Sequence, residues 1–210
     1  MKKNWFVLAL IFLMSANLLA QNKNSYDKIY EFDSYKEGWA LIQKDGKFGF
    51  INDKGRLVVP PIYDKINEFD SYKEGWALVQ KDDKFGFIND KGRLVVPPIY
   101  DKINEFDSYK EGWALVQKDD KFGFINNDGR IVVPPIYYRI NEFDSYKEGW
   151  ALVQKDDKLG FINDKGRIVV PPIYDMIDEF DSYKIGWAKV YRNGKEGFID
   201  TNGKEVVPVK

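Results

Sequence analysis

Apolar and polar residues alternate along most of this chain in a pattern that returns every 37 positions. In one copy, residues 76–80 and 85–89 are rich in aromatic and β-branched side chains, and the polar residues 81–84 separate them. Two such runs around a short polar segment are typical of a β-hairpin. A Gly-Trp pair recurs in every copy, with the tryptophans at Trp39, Trp76, Trp113, Trp150 and Trp187. A fixed period of this length predicts a repeat array.

The rest of each copy predicts further strands and turns. Gly92 lies in a polar turn, where glycine takes positive φ without steric cost. Residues 94–96 form a third apolar run, and Pro97 and Pro98 are expected to end it, because proline cannot donate to a strand ladder. Residues 99–106 fit an extended connection or a fourth short strand. No helical periodicity occurs after residue 20, so we predict an all-β fold of about three short antiparallel strands in each repeat.

The first twenty residues differ from all the others. Lys2 and Lys3 precede an apolar run at residues 5–14, and residues 15–20 offer a cleavage region that ends at Ala20. This order predicts a secretory signal peptide over residues 1–20, although an uncleaved N-terminal anchor is the alternative. We therefore expect an exported protein that is periplasmic, cell-surface or extracellular. Residues 21–25 form a short lead, and five copies of 37 residues fill the single repeat domain at 26–210.

Composition narrows the possible chemistry. The chain has 32 basic and 33 acidic residues, with no histidine and no cysteine. Without a basic excess, nucleic acid and anionic membrane surfaces are poor candidates for partners. Without histidine and cysteine, the usual triads, thiolates and zinc sites cannot be built, so we predict no enzyme activity, no metal site and no cofactor. An acidic pair such as Glu68 with Asp70 recurs in every copy, which favours a solvated edge over five active sites.

The aromatic residues are the candidates for binding. A tyrosine recurs within the polar Asp-Ser-Tyr-Lys segment, whereas the tryptophan and the phenylalanines are expected in the core. A row of exposed tyrosines would stack on sugar rings or hold an extended peptide. The candidate binding surface therefore consists of Tyr35, Tyr72, Tyr109, Tyr146 and Tyr183.

The repeats resemble the WG-repeat family, also called KWG repeats. The resemblance is carried by Gly-x-Ala-x-Val, then Lys-aromatic-Gly-aromatic-Ile, then Val-Val-Pro-Pro-x-Tyr-Asp, and it covers residues 26–210. The tryptophan that names the family is replaced in this chain by Phe, Leu or Glu, as at Phe48, Leu159 and Glu196. The resemblance implies a β-rich array of a kind often found in exported bacterial proteins, and it brings no catalytic residues.

The fifth repeat departs from the others at three apolar positions. The positions of Leu78, Phe85 and Leu94 are occupied there by Lys189, Glu196 and Glu205. The last unit of a stack has no following neighbour and needs a polar outer face. We therefore predict that Leu78, Phe85 and Leu94 contact the next repeat and that the three charged residues form a C-terminal cap. An open, solenoid-like array follows, with a closed five-bladed propeller as the alternative.

Repeat arrays present extended surfaces. We therefore expect a binding or scaffold module for another envelope or extracellular protein, most simply as a monomer, with no membrane contact after signal removal. A glycan- or peptidoglycan-binding protein that uses the repeated aromatics is the alternative.

Overall fold

Every regular element in the described part of the chain is a β-strand. The computed structural model describes residues 25–210, so the predicted signal peptide and most of the lead lie outside the described residues. Twenty strands form five four-stranded antiparallel sheets, and each sheet is built from consecutive strands. The predicted all-β class and the tandem repeats are confirmed.

The sheets share one strand pattern. The first contains β1 (Lys28–Phe32), β2 (Trp39–Lys44), β3 (Lys47–Asn52) and β4 (Leu57–Tyr63). The second contains β5 (Lys65–Ile66), β6 (Trp76–Lys81), β7 (Lys84–Asn89) and β8 (Leu94–Tyr100). The third contains β9 (Lys102–Ile103), β10 (Trp113–Lys118), β11 (Lys121–Asn126) and β12 (Ile131–Tyr137). The fourth contains β13 (Arg139–Ile140), β14 (Trp150–Lys155), β15 (Lys158–Asn163) and β16 (Ile168–Tyr174). The fifth contains β17 (Met176–Ile177), β18 (Trp187–Arg192), β19 (Lys195–Asp200) and β20 (Glu205–Val207).

The contacts divide the chain into two compact units. The first ends at Ile99 and holds the first two sheets, apart from the last residue of β8. The second spans Tyr100–Lys210 and holds the other three. Within each unit, successive sheets pack in series, and none of the five sheets among residues 25–210 closes into a barrel.

The central hairpin of each sheet has a two-residue turn. Residues Asp82 and Asp83 lie between β6 and β7 with φ of 51° and 60°. Two consecutive positive φ values define the tight turn whose twist matches the twist of antiparallel strands. Aspartate tolerates this conformation better than most residues, and the first repeat uses Gly46 at the second position. The predicted hairpin at residues 81–84 is confirmed.

The fourth strand and the double proline depart from the prediction. Each sheet has four strands, and the opening strand of sheets two to five is only two residues long. Pro97 and Pro98 do not end the third run, because β8 continues through them to Tyr100. A strand at a sheet edge needs no N–H groups on its open side, so prolines are tolerated there and block pairing with other chains.

A glycine lies directly beneath each double proline. In the third sheet, Phe122 pairs with Tyr137 while Phe124 pairs with Val133, so β12 bulges between the two pairs. A Cβ added to Gly123 would lie 2.4 Å from the Val133 carbonyl oxygen and 2.6 Å from the Pro135 nitrogen. Only glycine lets the bulge approach β11 this closely, which explains the Phe-Gly-Phe pattern.

The core of each unit lies between successive sheets. Leu115, Phe124 and Val133 project from one face of the third sheet. They form a buried cluster with Ala151, Val153 and Ile162 of the fourth sheet. Corresponding residues join the first sheet to the second and the fourth to the fifth. At each of these three junctions, the earlier sheet supplies the larger residues of its forward face and the later sheet supplies the smaller residues of its backward face.

Candidate binding surface

One loop recurs before the second strand of every sheet, and a side-chain cap fixes it. Asp33 has a φ of 66°, and its Oδ1 accepts a hydrogen bond of 2.5 Å from the Gly38 N–H. Ser34 Oγ donates to the Glu31 carbonyl oxygen at 3.1 Å. Asp70 accepts from Gly75 at 2.5 Å in the second repeat. The aspartate of each predicted acidic pair is thus held by the loop backbone.

The five predicted tyrosines lie in these loops and are only partly exposed. Tyr35, Tyr72, Tyr109 and Tyr146 are half-buried, while Tyr183 is 58% exposed. Each ring meets the edge or face of a core phenylalanine, as Tyr35 meets Phe50 with centroids 5.8 Å apart. Such contacts contribute roughly 0.5–1.5 kcal/mol. The tyrosines therefore have a structural role in addition to the surface that they offer.

Open grooves lie between consecutive loops within each unit. A groove of about 330 Å³ in the first unit is lined by Tyr35 and Lys36 of one loop and by Phe69, Asp70 and Glu74 of the next. A groove of about 590 Å³ in the second unit runs from Tyr146 to Asp178, Glu179 and Tyr183. Both combine an aromatic wall with carboxylates, and both are open to solvent.

A lysine and a phenylalanine cover Trp39, Trp113 and Trp150. Lys36 Nζ lies 5.6 Å from the Trp39 ring centroid, and Phe69 of the following loop meets the same ring edge to face at 5.9 Å. The same pair recurs at Trp150, with Lys147 at 4.6 Å and Phe180 at 5.9 Å. Trp113 and Trp150 are buried core residues and Trp39 packs against the first core cluster, as expected from the sequence, whereas Trp187 is only half-buried.

The structure places the predicted inter-repeat residues on two different faces. Leu78 is buried, and its equivalents Leu41, Leu115 and Leu152 pack against the next sheet in the same unit. Phe85 is half-buried, and its equivalent Phe122 packs against the cluster that joins the third and fourth sheets.

Leu94 is 53% exposed, and its equivalent Ile131 in the second unit is 55% exposed and lies outside the cluster that joins the third and fourth sheets, which contradicts the contact predicted for this position. The equivalent Ile131 pairs with Ile125, on the face opposite to Phe124. The bulge at the double proline shifts the register of the third strand, so the expected shared face does not form. This position faces backward along the chain: Glu205, its equivalent in the fifth repeat, accepts a hydrogen bond of 2.8 Å from Tyr174 Oη of the fourth sheet.

The three predicted cap residues accordingly divide into two groups. Lys189 and Glu196 form an ion pair of 2.5 Å on the forward face of the last sheet, and this pairing raises the pKa of Lys189. Glu205 lies instead against Tyr174 and near Arg192, with 3.6 Å between Glu205 Oε1 and the guanidinium. Burial, followed by the hydrogen bond to Glu205, raises the pKa of the Tyr174 phenol.

A second set of contacts, which we did not predict, occurs at the start of four of the five sheets. The aspartate that precedes the first strand of a sheet binds that sheet's hairpin: Asp64 Oδ2 accepts from the Asp82 N–H at 2.7 Å. Its other oxygen pairs with Lys47 of the preceding sheet. Lys47 and the Asp82 N–H hold the pKa of Asp64 below its ordinary value. In the sequence, this contact is visible only as an aspartate that lies 17 positions after a lysine.

No group of three or more potential metal-ligating side chains occurs within residues 25–210. Over the same residues, no helix is long and apolar enough to span a membrane.

The chain belongs to the family described as WG containing repeat. The family model matches residues 25–48, 48–85, 85–122, 122–158, 160–195 and 197–210, so its segments follow the 37-residue period. No curated protein sequence matches the chain.

Several solved structures are distantly similar. Apo AztD from Citrobacter koseri is 14% identical with a TM-score of 0.31, over 87% of this chain and 59% of that chain. Hsv2 from Kluyvelomyces marxianus is 12% identical with a TM-score of 0.27, over 84% of this chain and 62% of that chain. A putative TolB from Agrobacterium tumefaciens is 11% identical with a TM-score of 0.26, over 86% of this chain and 79% of that chain. The chain thus spans less than two thirds of the first two proteins.

Proposed function

We propose that this chain is a non-catalytic, exported binding protein that holds another protein on its repeated loops. The observation that carries the proposal is the repetition of one rigid loop, which presents a half-exposed tyrosine beside carboxylates at the same end of every sheet. Tyrosine offers a large amphipathic contact at a small cost in conformational entropy, and it is enriched at the energetic centres of interfaces.

The grooves support a protein partner in preference to an enclosed small molecule. Each groove is open to solvent, and carboxylates line it between two consecutive loops. Small-molecule sites are usually concave pockets that bury most of their ligand. An open groove instead suits an extended segment that contacts several loops in turn.

Site-specific cross-linking in the native cell envelope tests this proposal. A photoreactive phenylalanine replaces Tyr72 in one variant and Tyr109 in another. The matched control carries the photoreactive phenylalanine in place of Asp83, in the hairpin between β6 and β7 at the other end of the second sheet. We expect one defined protein adduct from both tyrosine positions and none from the control. Equal adducts at all three positions, or none at either tyrosine, would refute the proposal.

Glycan binding is the second candidate, and the repeated half-exposed aromatic rings favour it. A glycan array and a cell-wall pull-down, each with the parent and with Tyr72→Ala and Tyr109→Ala, test this candidate. Specific binding by the parent that both variants lose would support it. Binding that both variants retain would remove the tyrosines from the site.

A further inference from the structure

Four of the five sheets have a carboxylate at the same place. We call the residue before the first strand of each sheet the junction residue. In four sheets it is an aspartate, and its carboxylate accepts a hydrogen bond from the backbone N–H at the first position of the hairpin turn. The distances are 2.6 Å for Asp27 to Asp45, 2.7 Å for Asp64 to Asp82, 2.7 Å for Asp101 to Asp119 and 2.6 Å for Asp175 to Asn193. The hairpin turn of these four sheets therefore binds a carboxylate, and the chain itself supplies that carboxylate.

A lysine completes this position. The ammonium groups of Lys47 and Lys158 pair with the second oxygen of Asp64 and Asp175 respectively. A backbone N–H and an ammonium therefore hold one carboxylate from two sides. Hydrogen bonds to charged groups of this kind are stronger than bonds between neutral groups.

The fourth sheet has Tyr138 as its junction residue and lacks this carboxylate. The backbone is unchanged, since the Tyr138 N–H donates to the Gln154 carbonyl at 2.9 Å, much as Asp64 donates to Gln80 at 2.8 Å. The hairpin is unchanged as well, because Asp156 and Asp157 have φ of 50° and 59°. Within residues 25–210, no side-chain oxygen accepts from the Asp156 N–H.

The residues around Tyr138 form an exposed aromatic and cationic patch. The Tyr138 side chain is 50% exposed, and Lys121 Nζ lies 4.8 Å from its ring centroid. Lys121 is the equivalent of Lys47, and the described residues offer it no carboxylate within ion-pair distance. Arg139 follows and is also exposed. Tyrosine and arginine are the residues most enriched, with tryptophan, at binding hot spots.

We propose that the Tyr138 junction binds an acidic segment of a partner protein, whose aspartate or glutamate carboxylate occupies the position that Asp64 fills in its own sheet. The Asp156 N–H and the Lys121 ammonium bind the carboxylate oxygens. Tyr138 packs against the adjoining residue of the segment, and Arg139 adds attraction for a second acidic side chain. This inference goes beyond the proposed function, because the Tyr138 junction lies at the hairpin end of its sheet and not among the tyrosine loops.

Titration with model peptides, followed by amide chemical shifts of the full repeat domain, tests the proposal. The probe is an acetylated and amidated hexapeptide with two adjacent aspartates, and its control has asparagine at both places. We expect a saturable shift of the Asp156 amide with the acidic peptide, and at least about tenfold weaker binding of the asparagine peptide.

Three variants sharpen the test. Tyr138→Asp supplies the carboxylate from within the chain and should abolish the response at Asp156. Asp64→Tyr copies the Tyr138 junction into the second sheet and should create a second responsive amide at Asp82. Lys121→Gln keeps the fold-determining residues and should weaken binding without moving the melting temperature.

Several results would overturn the proposal: no saturable shift at Asp156, an equal response in Tyr138→Asp, or equal binding of the asparagine peptide. An equal response to inorganic phosphate would show a general anion site and would also overturn it. The cross-linking at Tyr72 and Tyr109 reports on different residues. Adducts there with no peptide response would leave the proposed function standing and remove only this inference.

Discussion

Replacement of Gly123 by alanine tests the packing of the double proline against the central hairpin. The added Cβ would lie 2.4 Å from the Val133 oxygen, 2.6 Å from the Pro135 nitrogen and 2.7 Å from the Pro134 carbonyl carbon. Favourable contacts between heavy atoms begin near about 3.5 Å, so the overlap is about 1 Å. All three atoms are backbone atoms, and the two proline rings restrict their movement.

The magnitude follows from this rigidity. Overpacking costs about 1–3 kcal/mol where side chains can adjust, so we expect Gly123→Ala to cost about 3 kcal/mol or more. For a domain of this size, that lowers the melting temperature by about 6–12 °C. Urea unfolding followed by tryptophan fluorescence measures the loss, since the Trp113 ring lies 5.4 Å from Phe124 in the same cluster.

Gly149→Ala is the matched control. Gly149 has a φ of 73°, and nothing lies within 4 Å of its added Cβ, so only the backbone conformation opposes the substitution. That costs about 1–2 kcal/mol. A Gly123→Ala protein that unfolds at the same urea concentration as the parent, or is more stable than the control, would refute the steric explanation.

Three further predictions concern other parts of the fold. Phe122→Glu places a charge in the cluster between two sheets and should lower the melting temperature strongly. Glu196→Phe should keep the fold and promote self-association, which sedimentation measures. Similar melting temperatures for these two variants would contradict this prediction. Because Lys47 lowers the pKa of Asp64, the stability from this pair is present above the unfolded pKa of 3.8 and is lost as pH falls through the lower folded pKa. The melting temperature of Asp64→Asn should therefore fall less steeply below about pH 4 than that of the parent. Parallel curves of melting temperature against pH would exclude this mechanism. Asp83→Gly removes a non-glycine residue at φ 60° and should raise the free energy of unfolding by about 0.5–1 kcal/mol, measured as a higher urea midpoint. A lower midpoint would contradict the turn argument.

Local alternation made the hairpins and the all-β class predictable. The strand from Trp76 to Lys81 and its partner are defined by neighbouring residues, so the sequence carries the necessary information. The two-residue strand at Lys65–Ile66 is too short to leave such a pattern. Pro97 and Pro98 were misread because a strand at the edge of a sheet does not need their missing N–H groups.

The direction of each face was harder to predict than its composition. Alternation groups residues on one side of a strand, but it does not show which neighbour that side will meet. Leu94 was assigned to the forward face because a bulge in the third strand is invisible in the apolar pattern. The junction aspartates were missed for a similar reason, since their partners lie 17 and 18 positions away in sequence.

The difference between the forward and backward faces of each sheet bears on how such a chain changes over evolutionary time. Wherever two sheets meet within a unit, the same pair of complementary surfaces joins them, so unequal recombination at these junctions adds or deletes 37 residues while each new neighbour still matches the old one. A change in length would then require no newly selected core. Tyr138 would then mark one particular repeat in such a lineage. Repeats inserted on either side of it would change its distance from the end of the array but not the residues around it.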